Sequence, residues 1–99
     1  MASWTPISPW RLGKCQTVTI GAGSASLATV VGSQTRAVLI SATSDCHVRI
    51  GPATETALAT DTLIRSAYPP LVFGCSAGDT VAVIQDAAGG TLYVTELSH

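Results

Sequence analysis

The sequence predicts an all-β fold: a single antiparallel β-sandwich of about eight short strands with an extended N-terminal arm. Hydrophobic residues make up 46% of the chain and charged residues only 11%, so Thr and Ser supply much of the polarity. This composition favours strands over helices. From residue 15 onward, short apolar stretches are separated by Gly, Ser, Asp and Pro clusters about every ten residues, the spacing expected of a sandwich or barrel.

Ninety-nine residues fit one hydrophobic core, because two cores would leave each half too small to fold alone. We therefore expect residues 1–14 to form the arm and residues 15–99 to form one β-sandwich domain. So few charged side chains would protect a monomer poorly against association, which suggests that much of the surface is covered in use.

The N-terminal arm differs in composition from the rest of the chain. Two prolines interrupt regular structure there, and both tryptophans of the protein lie there too. A tryptophan buries about 150–250 Å² when it docks, and a proline-limited segment loses little entropy on docking. We expect the arm to bind a neighbouring subunit or a shell protein; the alternative is that it folds back over its own sandwich. The expected partner-binding residues are Trp4, Pro6, Pro9, Trp10 and Arg11.

The apolar stretches give the predicted strands in order: 15–21, 25–31, 35–43, 45–51, 63–66, 71–75, 80–86 and 91–97.

The clearest strand pattern lies at residues 45–51, where Cys46, Val48 and Ile50 alternate with polar residues. One face of this strand should enter the core while the other meets solvent or a neighbour. Residues 37–42 and 81–84 are instead apolar on both faces, as expected of central strands whose outer side is also covered. Either an intersheet layer or a subunit interface would cover them.

The last two predicted strands are joined by the sequence DAAGG, in which Gly89 and Gly90 can adopt positive φ. This pattern predicts a β-hairpin over residues 80–97. The preceding turn contains Gly78 and Asp79, residues typical of turns.

The long segment 51–62 is too long for a tight turn and too polar and β-branched for a helix. We interpret it as a surface crossing. A single helical turn around Ala57 and a connection between two sheets are the alternatives.

The sequence offers little catalytic chemistry. Asp45 and His47 lie two apart on a predicted strand and should share a face, as an acid–base pair would. No nucleophile or oxyanion hole accompanies them, so we expect a solvated edge pair near Arg49 and no enzymatic activity.

No metal or cofactor is expected. The histidines and cysteines do not have the spacing of zinc ligands, and the glycine-rich pieces lack the lysine of a phosphate-binding loop. The dispersed acidic residues are more typical of turns than of a calcium site. Cys15, Cys46 and Cys75 are odd in number and widely spaced, which argues against a disulfide framework, and we interpret them as small buried hydrophobic residues.

Charge and hydropathy limit the partners. The net charge is −1 and the five basic residues are scattered, so nucleic-acid binding is not expected. No apolar run approaches the ~20 residues of a membrane span, and the N-terminus lacks the pattern of a signal peptide. We expect the chain to be made in a cytoplasm and to remain there until assembly, with no membrane partner.

Three pieces, ATSDCHVRIG (42–51), ATDTLI (59–64) and GCSAGDTVAVIQDAAGGTLYVTEL (74–97), occur in an order that resembles short structural proteins of tailed bacteriophages and prophages. The resemblance covers roughly the C-terminal half and rests on strand-and-turn patterns without chemical groups. It implies a β-sandwich or jelly-roll fold and a virion component with no catalytic residues.

The resemblance implies the role of a capsid decoration or cement protein, which is made in the host bacterial cytoplasm and lies on the outer surface of the head. Its expected partners are copies of itself, with a trimer favoured, and the phage major capsid protein. A tail, neck or fibre-base protein is the first alternative. A host-glycan-binding sandwich is the second, although Tyr68 and Tyr93 are the only tyrosines available for such a surface.

Overall fold

The computed structural model describes residues 11–98, which form eight strands and contain no helix. The strands are β1 (Arg11–Ile20), β2 (Ala25–Ser26), β3 (Ala37–Ala42), β4 (Cys46–Gly51), β5 (Thr62–Ile64), β6 (Leu71–Gly74), β7 (Thr80–Gln85) and β8 (Gly90–Ser98). Each of them overlaps one predicted strand, so the all-β prediction is confirmed.

The strands form two four-stranded antiparallel sheets. Sheet A has the order β1-β8-β3-β6 and sheet B has the order β2-β7-β4-β5. The first four strands pair with the last four in reverse: β1 with β8, β2 with β7, β3 with β6 and β4 with β5. The chain is thus one long antiparallel ribbon rolled over itself, and the β3–β8 and β4–β7 pairings join its turns. This is the jelly-roll form of the β-sandwich.

The core lies between the two sheets and is built by alternate residues of their inner faces. Every second side chain of a strand points inward, which accounts for the buried aliphatic residues at these positions. Leu27 and Val31, from the segment after β2, close the core at one side. The core residues contributed by the strands are Val18, Ile20, Val38, Ile40, Cys46, Val48, Ile64, Val81, Val83, Leu92 and Val94.

The predicted hairpin over residues 80–97 is wrong. β7 belongs to sheet B, where it pairs with β2 and β4, whereas β8 belongs to sheet A, where it pairs with β1 and β3. The connection between β7 and β8 therefore passes from one sheet to the other. Both strands are central in their sheets.

Gly89 and Gly90 serve close packing in this connection and do not adopt positive φ, the opposite of the sequence expectation. A Cβ on Gly89 would lie 2.7 Å from the backbone oxygen of Ile20, and one on Gly90 would lie 2.7 Å from the hydroxyl of Thr43. Gly78 is the glycine with positive φ, at 85°. It lies in the predicted turn, where the amide of Ser76 donates to Asp79 Oδ2 at 2.8 Å.

β1 begins at Arg11, four residues before the predicted start of the sandwich, so residues 11–14 are part of the sheet. Arg11 lies opposite Ser98 at the end of β8. A register shift between Leu12 and Cys15 accommodates the extra residues. Gly13 permits this bulge, because a Cβ there would lie 3.0 Å from the carbonyl oxygen of Glu96.

β2 is much shorter than the predicted strand at 25–31. Its ladder ends at Ser26, because the amide of Leu27 donates to the Thr80 hydroxyl at 3.2 Å. The amide of Val31 then donates to the Asp79 carbonyl at 2.9 Å, which returns the chain to the start of β7.

The segment between β4 and β5 is a surface loop that joins neighbouring strands of one sheet, so it neither connects the two sheets nor contains a helical turn. Its backbone turns at Pro52–Glu55 and again at Leu58–Asp61, where the fourth amide donates to the first carbonyl at 2.8 and 2.9 Å. Ala57, between the two turns, is only 3% exposed. The loop therefore packs against the body of the sandwich.

Candidate functional site

The outer face of sheet B is covered by the protein's own β4–β5 loop. Arg49 projects from this face and donates from Nε to Asp61 Oδ1 at 3.0 Å and from a terminal nitrogen to Glu55 Oε1 at 3.2 Å. The amide of Ala57 donates to the hydroxyl of Ser24 at 2.8 Å. Residues 52–61, called the clamp loop below, are thus held to the rest of the domain at Glu55, Ala57 and Asp61.

The clamp loop explains why β7 is apolar on both faces. Ala82 points away from the core, lies opposite Arg49 and is fully buried. Ile84, the next outward residue, lies opposite His47 and is half-buried. An intrachain loop therefore covers the outer face at residues 81–84, where the sequence led us to expect an intersheet layer or a subunit interface.

His47 joins the clamp loop to the end of β7. Its Nδ1 lies 2.9 Å from the carbonyl oxygen of Asp61, and its Nε2 lies 2.9 Å from Asp86 Oδ1. Only a protonated imidazole donates from both nitrogens. The Asp61 carbonyl and, second, the Asp86 carboxylate therefore raise the pKa of His47 above its ordinary value, although partial burial opposes them.

Asp61 is the central residue of this network. Its Oδ2 accepts the amide of Leu58 at 2.7 Å, which closes the second turn of the clamp loop, while Oδ1 faces Arg49. The Leu58 amide first, and then Arg49, hold the pKa of Asp61 below its usual value. These polar groups form hydrogen bonds and ion pairs with one another, so the network holds the clamp loop in place.

The expected pairing of Asp45 with His47 does not form. Asp45 precedes β4, and its Oδ1 accepts the amide of Ser66 at 2.9 Å while Arg65 approaches Oδ2 at 3.8 Å. His47 takes Asp86 as its carboxylate, 39 residues away in sequence. Sequence reasoning missed this pair because the contact depends on β4 lying beside β7.

The outer face of sheet A has no comparable polar network among its central residues. One row across it joins the side chains of Cys15, Thr95, Leu39 and Val72, and the next joins those of Thr17, Tyr93 and Ser41. All seven side chains are uncharged. Val72 is 50% exposed and Tyr93 is 44% exposed. We call this surface the open face.

A cavity of about 320 Å³ lies at the edge of the sandwich where β5 of sheet B approaches β6 of sheet A. We call it the edge cavity. Apolar side chains of β4 and β6 and polar groups of β4, β5 and the clamp loop line it. Its principal lining residues are Val48, Ile50, Phe73, Arg49, Asp61 and Thr62.

The three cysteines are free and differ in environment. Cys46 is fully buried, and burial raises the pKa of its thiol to about 11. Burial also raises the pKa of Cys75, which is partly buried. Cys15 is exposed on the open face, so the expectation that all three are buried is wrong for this residue.

Four of the five predicted partner-binding residues, Trp4, Pro6, Pro9 and Trp10, lie outside the described residues. The fifth, Arg11, is exposed at the start of β1. β1 is an edge strand of sheet A.

Within residues 11–98 no group of three or more His, Cys, Asp or Glu side chains is placed to hold a metal ion. The same part of the chain contains no helix of the length and apolar character needed to cross a membrane. No protein-family model, curated protein or solved structure matches this chain.

Proposed function

We propose that this protein is a structural component of a tailed-bacteriophage virion, a capsid decoration or cement protein that binds the outer surface of the major capsid lattice. The observation that carries the proposal is the contrast between the two sheets of the jelly roll. Sheet B is covered by the chain's own clamp loop, whereas the open face of sheet A presents uncharged and partly apolar side chains. Jelly rolls are a common form of viral capsid domain.

The open face suits a protein surface as its partner. Uncharged rows with exposed Val72 and Tyr93 have the composition of an interface core, in which charged residues are depleted and aromatic residues enriched. The major capsid protein is the partner we assign to this face. The role needs no chemistry: burying ~1,000–2,000 Å² per joint, over many copies, stabilises the assembled shell.

Heat inactivation of phage particles with and without the protein tests this role. Particles that lack the protein should release their DNA at a lower temperature, and adding the purified protein back should restore the original temperature. Particles whose heat stability does not change on removal of the protein would refute the cement function.

Substitution at the open face tests the assigned surface. Tyr93→Glu places a charge on this face and should weaken binding to heads by at least about tenfold, since desolvating a charge at an interface core is costly. Leu58→Glu is the matched control, because Leu58 is a similarly exposed apolar residue, 52% exposed, on the clamp loop. If the two variants bind phage heads equally well, the open face is not the surface that contacts the capsid.

Two other assignments have their own tests. A tail, neck or fibre-base protein would be present in few copies per particle, whereas a head decoration protein is present in hundreds, so quantifying the protein in purified virions separates them.

The exposure of Tyr68 and Tyr93, 43% and 44%, favours glycan binding as a second candidate, because lectins also use jelly rolls. Specific binding to a glycan array by the purified protein would support that candidate.

A further inference from the structure

We propose that the edge cavity receives a tryptophan from residues 1–10 of a neighbouring copy, so that the protein associates head to tail through its N-terminal segment. This inference builds on the proposed structural role and identifies one of its partners as a second copy of the chain.

The cavity matches one large aromatic side chain. Its volume of about 320 Å³ lies at the small end of the range for ligand pockets, about 300–1,000 Å³. Val48, Ile50 and Phe73 supply apolar walls, while Thr62 supplies an oxygen acceptor. An indole needs this combination, because its ring is apolar and its N–H must find an acceptor when buried.

The segment has the composition that such a site requires. Residues 1–10 contain both tryptophans of the chain and no charged side chain. The aromatic residues of the described part are Tyr68, Phe73 and Tyr93, and Phe73 already lines the cavity. The only tryptophans available to fill it are therefore Trp4 and Trp10.

The positions of segment and cavity favour a neighbouring copy over the same chain. β1 is one edge of sheet A, and the cavity adjoins β6, the opposite edge. Leu12 and Gly74 lie in one row across the sheet, separated by three strand spacings, or about 14 Å. The chain thus enters the described fold at one edge of sheet A, and the cavity lies at the opposite edge, an arrangement that suits donation from one copy to the next.

Two prolines restrict the backbone of residues 1–10. Pro6 and Pro9 fix their own φ and bias the residues before them toward extended conformations. A segment of ten residues spans up to ~33 Å when it is fully extended. A donor at one edge and an acceptor at the other make a heterologous contact, which closes into a ring when the rotation permits. A trimer is one such ring.

Tryptophan fluorescence and sedimentation velocity, measured together over a dilution series of the full chain, test the proposal. Both tryptophans lie in residues 1–10, so emission reports on this segment alone. We expect blue-shifted emission in the associated protein, with a red shift on dilution that parallels dissociation. A blue shift that is independent of concentration would indicate docking within one chain and would overturn the proposal, as would a monomer at every concentration.

Filling the cavity provides the matched variant. Thr62 is exposed and lines the cavity, so Thr62→Phe should block it and weaken self-association at least about tenfold. Thr54→Phe is the control, since Thr54 is an exposed threonine of the clamp loop that does not line the cavity. Circular dichroism melting of both variants checks that each is folded. Equal association by the two folded variants would contradict the proposal.

Complementation gives the sharpest result. The Trp4→Ala/Trp10→Ala variant keeps the cavity but has no tryptophan, whereas Thr62→Phe keeps both tryptophans but has a blocked cavity. Titrating the first into the second should produce a saturable blue shift, because each joint then forms between different chains. If the emission does not shift, docking of tryptophan into the cavity of a second copy is refuted. Binding of the same variants to phage heads tests the proposed function separately.

Discussion

Replacing Asp86 by asparagine should destabilise the protein in acid and have no destabilising effect in alkali. The reason lies in the two acceptors of His47, the Asp61 carbonyl and the Asp86 carboxylate, each 2.9 Å from a ring nitrogen. Both contacts are hydrogen bonds only while the imidazole carries two protons. The substitution removes the negative charge while keeping an oxygen that can accept from Nε2.

The direction of the pH dependence follows from the raised pKa of folded His47. A group whose pKa is higher in the folded state binds its proton more tightly there, so its contribution to stability is complete below the unfolded pKa, about 6.5 for histidine. That contribution is lost as the pH rises through the folded pKa. The Asp86 carboxylate should therefore stabilise the fold at pH 5.5 and not at pH 9.

The expected magnitude is limited by solvent. The His47 side chain is 12% exposed and the Asp86 side chain is 46% exposed, so water screens the pair partially. Exposed ion pairs contribute ~0.2–1 kcal/mol, and the tight geometry places this pair near ~1 kcal/mol. For a domain of this size, a loss of that amount lowers the Tm by roughly 4–8 °C. At pH 9 the introduced amide group can donate to the bare Nε2, which a carboxylate cannot, so the variant should equal or slightly exceed the parent.

Urea unfolding monitored by circular dichroism at pH 5.5 and pH 9 measures this difference. Asp45→Asn is the control, because Asp45 bonds to Ser66 and makes no hydrogen bond to His47, and its effect should be the same at both pH values. In a His47→Gln background, the pH dependence of Asp86→Asn should disappear. An equal loss of stability at the two pH values in the wild-type background would refute the assignment of a charged His47.

Three further predictions follow from packing and burial. Gly89→Ala should lower the free energy of unfolding by ~1–3 kcal/mol, because the added Cβ would contact backbone atoms. Gly74→Ala is the control, since its Cβ would have no neighbour within 4 Å, and it should change the free energy of unfolding by less than ~0.5 kcal/mol. Chemical denaturation of both variants measures the difference. Thr80→Val should cost ~1–3 kcal/mol in the same assay, because Thr80 is 1% exposed and its hydroxyl accepts a buried amide. Thr80→Ser should retain most of that stability. At pH 8, a maleimide should modify Cys15 rapidly in the native protein and should modify Cys46 only after unfolding. Peptide mapping identifies the labelled cysteine, and rapid labelling of Cys46 in the native protein would contradict its burial.

The approximate position of each strand could be predicted from the sequence, because strand formation depends on local alternation. Cys46, Val48 and Ile50 identify an inward face without reference to any partner. Strand pairing could not be predicted in the same way. Arg11 pairs with Ser98 across the whole described chain, and neither residue carries a local signal for the other.

The error at residues 80–97 illustrates the difference. Two glycines between apolar strands are typical of a hairpin, but close approach of two backbones also requires glycine. At Gly89 the close neighbour is the carbonyl of Ile20, which lies opposite Gly90 at the end of β1 and is distant in sequence. The candidate site has the same limitation, since the partner of His47 becomes apparent only when β4 lies beside β7.

The distribution of charge over the two faces indicates how a decoration protein with this fold would be oriented on the shell. His47, Arg49, Asp61 and Asp86 all lie on the side of sheet B, where they fasten the clamp loop, whereas the two central rows of the open face contain only uncharged side chains. Removing a charge from water costs more than removing a hydroxyl or a methyl group, so the open face is the less costly face to bury. A decoration protein oriented in this way turns sheet A toward the shell and leaves sheet B in solvent. The edge cavity then lies at the side of each subunit, where the N-terminal segment of the next copy can reach it without competing for the shell.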